Sequence, residues 1–399
     1  MKILYVTARL PYPPFKGDQV RGYHQLRLLS RKHQITLLSF GDTASTQRAQ
    51  TELANFCEQI ILVPLKKPEA ILRCVRGIFS PYPFQTLLYQ SAQMSQALQT
   101  QLASAQFDLV HVQLARMAPY LQNVSHIPRV IDLIDALSVN MERRFQRDHG
   151  PMKLASYIEW QRMRQYERVI CEKFDQATIV SASDRRTIGE FSNLHINANG
   201  VDLAQFPFVA TEGRNPKKLV FSGNMNYFPN VNAVCWFVER VFPLVQAKVP
   251  DIQFDIVGVN PHADILKVAK QNRAITVTGY VEDIQAYLAQ AAIAVVPMQS
   301  GSGMQFKVIE SMACGTPVVA TQYALGGIDV VHGEHLMLAD TPVDFAEQVI
   351  KLLADLPLRQ HLACNGRQLV EQQYSWEQTV ADLERVHQLA LMSVPKRIG

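Results

Sequence analysis

Residues 301–321 read Gly-Ser-Gly-Met-Gln-Phe-Lys-Val-Ile-Glu-Ser-Met-Ala-Cys-Gly-Thr-Pro-Val-Val-Ala-Thr. An apolar run ending at Val296 leads into the glycines, then a helical stretch carrying Lys307 and Glu310, a Gly-Thr-Pro stop and a second β-branched run. That order is a strand–helix–strand unit with small residues at its first turn, where open α/β sheets take ligands. Counted from Gly303, Lys307 lies at i+4 and Glu310 at i+7, so all three share one face of a helix that starts at the glycine. The unsatisfied N–H groups of a helix start suit a phosphate. Lys307 adds a point charge, and Glu310 sets a carboxylate roughly 10 Å further on at about 1.5 Å per residue. A diphosphate at the turn and a ribose hydroxyl on the carboxylate match that spacing. A plainer reading stands beside it: a tight connection followed by a solvated Lys–Glu pair. A Lys307 turned into the core would contradict the first reading.

The chain has 399 residues, beyond the size at which single cores stop growing, so two domains are expected. A hydrophobic fraction of 48% and a charged fraction of 19% are those of a globular protein. The net charge of +4 is too mild to point to nucleic acid, and no RNP-like pattern or zinc-type cysteine spacing is present. Six scattered cysteines in mostly apolar contexts predict reduced thiols and a cytoplasmic location. The short apolar start, with Arg9 close behind, predicts a buried first strand rather than a secretory segment. No stretch approaches the roughly 20 apolar residues of a membrane span.

Around that unit the chain alternates strand-like and helical patterns. Strands are expected at residues 3–7, 35–40, 59–64, 109–112, 129–133 and 177–181, then at 219–222, 252–257, 275–278, 292–296 and 318–321. Helices are expected at 19–32, 92–103, 232–249 and 376–392, with a long helical stretch at 139–174 interrupted at Gly150-Pro151. Alternation of this kind implies parallel sheets. The fold class predicted is α/β, with two facing Rossmann-like domains and a cleft between them. The domains expected are 1–204, with 376–399 packing back on it, and 205–375. Residues 203–216, with Pro207, Gly213 and Pro216, read as a linker between them.

Met304 to Thr321, Asn199-Gly-Val-Asp202, Phe221-Ser-Gly-Asn-Met-Asn-Tyr-Phe-Pro-Asn230, the loop from Pro11 to His24, and Val180 to Asp184 together resemble the signature regions of glycosyltransferase family 4. The resemblance covers nearly the whole chain in order and is closest to bacterial sugar transferases of exopolysaccharide and exosortase-type systems. It implies a GT-B fold and metal-independent, retaining transfer of a sugar from a UDP- or GDP-linked donor, with no cofactor. The acceptor implied is a saccharide, a lipid-linked sugar or a small molecule. Two departures stand out. The family's helix motif carries two glutamates; the second matches Glu310, which implies a ribose contact, and the first falls on Ser302, which puts the sugar preference in question. Asn224 and Asn226 stand where many members place an arginine and a lysine for the diphosphate. More of that role then falls to Lys307, to Gly303, Met304 and Gln305 at the helix start, and to Arg21 or Arg185.

Several positions carry both readings. Gly17 is a strand-to-helix connector or, by resemblance, part of a loop over the donor phosphates, with Arg21 one turn further on. His111 is a core histidine or, with Gln113 and Arg116, part of an acceptor wall. Asp132 and Asp135 follow an apolar run and are either helix caps or groups facing the anomeric centre, Asp135 the better placed. Gly279, Tyr280 and Val281 imply a backbone ledge for the base, with Pro297 as its neighbour. Residues 61–90 carry Lys66, Lys67, Arg73 and Arg76 against Glu69, a net +3 among aromatics. They are a solvated face or a peripheral contact with anionic lipid. Two other functions fit the same architecture: a nucleotide-sugar epimerase, and a non-catalytic nucleotide-sugar-binding partner.

Overall fold

The computed structural model describes residues 1–41, 46–65, 72–74, 76–300 and 303–393. Ser302 and the charges Lys66, Lys67 and Glu69 therefore lie outside the described residues. The chain divides into two compact units, Met1–Ala198 with Thr379–Gly399, and Asn199–Gln378.

The first unit is built on seven parallel strands: β1 (Lys2–Thr7), β2 (Gln34–Phe40), β3 (Gln59–Val63), β4 (Leu109–Gln113), β5 (Arg129–Ile134), β6 (Gln176–Ile179) and β7 (Leu194–Ile196). Their order is β3-β2-β1-β4-β5-β6-β7. The order reverses between β1 and β4, which pair directly, Tyr5 opposite His111. These strands are apolar without alternation because helices cover both faces of a parallel sheet, and Ile3, Leu4, Tyr5 and Val6 are fully buried. The last helix, Trp376–Ser393, adds to this unit from Thr379 onward; Val386 and Ala390 pack on Ile3, Leu109 and Val130.

The second unit repeats the plan with β8 (Asn215–Ser222), β9 (Gln253–Val257), β10 (Ile275–Gly279), β11 (Ala291–Val296), β12 (Val318–Ala320) and β13 (Met337–Leu338). Their order is β10-β9-β8-β11-β12-β13, with the reversal between β8 and β11. In both units the first and fourth strands flank that reversal, where the carboxyl ends of doubly wound sheets open for ligands.

Four expectations need correction. The segment 203–216 is not a free linker: it belongs to the second unit, pinned by Arg214, whose guanidinium donates to the carbonyls of Leu288 (2.7 Å), Val209 (2.7 Å) and Cys314 (2.6 Å) and to Thr316 Oγ1 (2.8 Å). The units divide at 198/199 and 378/379 rather than at 204/205 and 375/376. The helix expected over 232–249 runs as Phe228–Trp236, a π turn at Phe237–Val241 and Phe242–Lys248. Pro243 explains the break, since its ring displaces the carbonyl four residues back. Finally, β7 and β13 escaped periodicity because three and two residues are too short to show alternation.

Candidate active site

Three adjacent strands of the second sheet end in glycine. Gly223, Gly258 and Gly279 follow or close β8, β9 and β10, with φ of 153°, 150° and 70°. Gly223 N donates to Val257 O (3.0 Å), and Gly258 N to Gly279 O (3.2 Å). A Cβ on Gly258 would stand 1.7 Å from Gly223 O, and one on Gly223 would stand 2.8 Å from Asn230 Nδ2. Only glycine permits this approach, so the carboxyl edge is a ledge of bare backbone.

Lys307 stands at the strand reversal. It follows β11 and lies over the ring of Phe221 in β8, 5.3 Å from the centroid. The helix carrying it spans Phe306–Ala313, so it starts three residues later than expected. Gly303 is outside it in the left-handed conformation (φ 67°), and its carbonyl packs against Gly326, where any Cβ would collide at 2.0 Å. Gln305 is the N-cap but makes no side-chain cap, so the N–H groups of the first turn have no capping side chain and carry the positive end of the helix dipole. Met304 is buried. The ring of Phe306 packs against Trp376 of the same unit at 6.5 Å. Gly200 backs that indole, as a Cβ there would sit 2.7 Å from Trp376.

Lys307 is only 8% exposed, a burial the sequence did not announce. Its side chain is thus turned inward, which counts against the phosphate reading, but the buried ammonium ends on polar atoms: Nζ donates to Asn230 Oδ1 (3.2 Å) and Gln305 Oε1 (3.1 Å). Burial lowers its pKa from 10.5 to about 8, and Glu310 opposes that shift without forming an ion pair. Burial likewise pushes the Glu310 carboxyl up to about 7 against the pull of Lys307. Among the described residues no carboxylate lies within ion-pair distance of Lys307. Buried charges are normally paired; this one is held by two neutral amides and an aromatic face.

The other donor-side positions surround this point. Asn224 is exposed, its Oδ1 accepting from Asn226 N (3.0 Å) in a local turn. Tyr280 is exposed beside Gly279, Val281 is half-buried, and Pro297 closes β11, buried. Past the ends of β11, β12 and β13 lies a cavity of about 450 Å³ lined by Met298, Gln299, Thr321, Gln322, Tyr323 and Asp340.

On the first unit, two expected site residues are interior. Arg21 is fully buried; Nε donates to Asp132 (2.6 Å), Nη1 to Ala198 O (2.9 Å) and Nη2 to Asn197 Oδ1 (2.6 Å). Against burial, Arg21 holds the Asp132 carboxyl below its usual value. With its donors engaged inside the fold, Arg21 is a clamp joining helix 17–29 to β5 and to Asn197, not an arm toward a ligand. His111 is also fully buried, stacked on Tyr5 at 4.5 Å, with Nδ1 3.1 Å from His387 Nε2. Burial pushes it down to about 4, and the plain core reading describes it.

Asp135 differs. It is half-buried at the carboxyl end of β5, and its pKa is pushed up to about 7, by burial first and then by the Asp184 carboxylate. The preceding residue, Ile134, has φ 65°, a strained conformation for a β-branched side chain. Ser181, the cap of helix 182–188, donates to Asp184 (2.7 Å). Gly17 is exposed and opens helix 17–29 without a side-chain cap. Sequence reasoning missed Asn230 and Phe221 as partners of Lys307, because only tertiary packing brings strand 215–222 under helix 306–313.

Residues 216–355, most of the second unit, match the family described as Glycosyl transferases group 1. A Klebsiella pneumoniae protein described as an uncharacterized 44.6 kDa protein in cps region is 22% identical over 386 residues, covering 94% of this chain and 96% of that one. A Corynebacterium glutamicum protein, GDP-mannose-dependent monoacylated alpha-(1-6)-phosphatidylinositol monomannoside mannosyltransferase, is 27% identical over 239 residues, 54% of this chain and 62% of its own. The crystal structure of Anabaena Alr3699/HepE in complex with UDP superposes with a TM-score of 0.68 at 14% identity, over 97% of this chain and 100% of that one. Residues 216–355 thus match the Glycosyl transferases group 1 family, and along nearly its whole length the chain shares the fold of GT-B glycosyltransferases.

Proposed function

We propose that the second unit binds a nucleotide-diphosphate sugar with its diphosphate at Lys307 and the start of helix 306–313, and that the sugar is transferred with retention to a saccharide, lipid-linked or small-molecule acceptor. The observation that carries this reading is the buried Lys307 ammonium with no carboxylate of the described residues beside it, at the strand reversal and next to a helix start whose N-cap residue makes no side-chain cap. An anion with several oxygens supplies the charge that the protein withholds. Glu310 lies one turn along the same helix, and a ribose hydroxyl is its proposed partner. The Gly223, Gly258 and Gly279 ledge leaves room for a flat base. UDP and UDP-glucose complexes of HepE, and the GDP-mannose dependence in the Corynebacterium relative's name, support a nucleotide sugar without choosing the base. The Klebsiella relative's cps region supports a role in polysaccharide assembly.

Departing negative charge dominates the transition state of this reaction, so the protein's task is to stabilise the leaving diphosphate. Lys307 and the helix N–H groups supply that charge with no metal in the proposal. If the acceptor hydroxyl attacks from the face the diphosphate leaves, a phosphate oxygen takes its proton and no protein nucleophile is needed. Asp135, half-buried and free of a hydrogen bond to a described residue, is the acceptor-side candidate. A cytoplasmic location and peripheral membrane contact through residues 61–90 remain part of the proposal; no helix among the described residues is long and apolar enough to cross a membrane.

The test is a panel of UDP- and GDP-sugars scored by thermal shift and slow hydrolysis, with NMR of the products. Binding raises Tm by mass action. A released sugar with its anomeric configuration kept supports the reading. A converted sugar still attached to the nucleotide identifies an epimerase, and binding without turnover by any donor identifies a non-catalytic partner. Unchanged turnover in Lys307→Ala removes the assignment.

A further inference from the structure

We infer that Asn230 is a positioning residue for Lys307, the side chain that holds the ammonium at the diphosphate site in place of a carboxylate. The inference rests on the reading of Lys307 as a diphosphate ligand. Asn230 is 4% exposed in the first turn of helix 228–236, directly after Pro229. Its two ends do opposite work. Nδ2 donates to Asn224 O (2.9 Å), which can only accept, and Oδ1 accepts from Lys307 Nζ (3.2 Å), which can only donate. The amide therefore has one possible orientation. Gly223 completes the lock: a Cβ there would press on Asn230 Nδ2 at 2.8 Å and touch Lys307 Cε at 3.5 Å.

Neutrality is the chemical point. An aspartate at 230 could receive the same hydrogen bond, but it would neutralise Lys307 and set a negative charge beside the incoming phosphates. It would also face Asn224 O with no proton to give. The amide fixes the ammonium and leaves its charge uncompensated. Lys307 has three N–H groups, and among the described residues Asn230 and Gln305 hold two of them, which leaves the third for an anion before any internal contact is exchanged.

The experiment compares the affinity of the full chain for UDP and for uridine, with GDP and guanosine as a parallel pair, in wild type, Asn230→Ala, Asn230→Asp, Lys307→Ala and the Ala/Ala double variant. Melting curves accompany each. Expected is a loss of roughly tenfold or more in nucleoside-diphosphate affinity for Asn230→Ala, the scale of one hydrogen bond to a charged group. Nucleoside affinity stays unchanged. Asn230→Asp loses more than Asn230→Ala, and the double variant is no weaker than Lys307→Ala alone, because Asn230 acts through the lysine. Equal losses for nucleoside and nucleoside diphosphate, or losses that add fully in the double variant, overturn the inference. If Lys307→Ala loses diphosphate affinity while Asn230→Ala keeps it, this inference alone fails. If Lys307→Ala itself binds as wild type, or wild type binds neither diphosphate, the proposed function fails first and this inference with it.

Discussion

Replacing Lys307 by methionine separates the two consequences of burying an ammonium without a carboxylate. The substitution keeps an unbranched side chain of similar length and removes the charge. In the folded protein burial brings the Lys307 pKa from 10.5 down to about 8. That drop corresponds to about 3 kcal/mol working against the charged form in the fold at neutral pH. Methionine removes the penalty but leaves Asn230 Oδ1 and Gln305 Oε1 without a donor, at about 1 kcal/mol each. The unliganded variant is then expected to be more stable than wild type by about 1 kcal/mol at pH 7, a rise in Tm of about 2–4 °C for a unit of this size. The sign with pH follows from proton counting. Between pH 8 and 10.5 the unfolded chain holds the Lys307 proton and the folded chain does not, so wild type gains stability as pH rises. From pH 7 to pH 10 that gain is about 2–3 kcal/mol, and methionine has none of it. Urea unfolding at the two pH values, followed by tryptophan fluorescence, reads the difference, since Trp236 and Trp376 both lie in the second unit. UDP or GDP titration supplies the functional half, where the variant is expected to lose the diphosphate's contribution. A stability difference that is the same at pH 7 and pH 10, or diphosphate affinity unchanged in the variant, would refute the reasoning.

Three further outcomes follow from the geometry. Arg21→Met leaves Asp132 buried and unpaired, and is expected to destabilise the first unit by about 3–5 kcal/mol while UDP or GDP affinity stays at the wild-type value. Gly258→Ala forces a methyl into Gly223 O, and at least about 3 kcal/mol of the second unit's stability should be lost, seen as an early melting transition. His111 is held at about 4 by burial, so below pH 6.5 the unfolded chain takes a proton that the folded chain refuses. Wild type should therefore lose up to about 3 kcal/mol between pH 6.5 and pH 4, and His111→Gln, measured by urea unfolding across that range, should lose less.

The local pattern alone determined that this chain makes two parallel α/β sheets. Fully buried strands show as unbroken apolar runs such as Ile3–Val6 and Ala291–Val296, and strand–helix alternation leaves few topologies open. The Lys307–Glu310 spacing on one helix was legible for the same reason, because residues three apart share a face wherever the helix begins. Where the helix begins was not legible. Gly303 could open it as well as precede it, and its contact with Gly326, distant in sequence, decides the question. Tertiary structure also decided which charges are available. Arg21 and Lys307 look alike as cations one turn into a helix after a glycine loop. Arg21 meets a buried carboxylate, Asp132, from a strand more than a hundred residues away, and is neutralised. Lys307 meets an amide, Asn230, and the face of Phe221, and keeps its charge. Periodicity reports which face of an element is buried; the chemistry found on the other side of that burial belongs to residues brought there only by the fold.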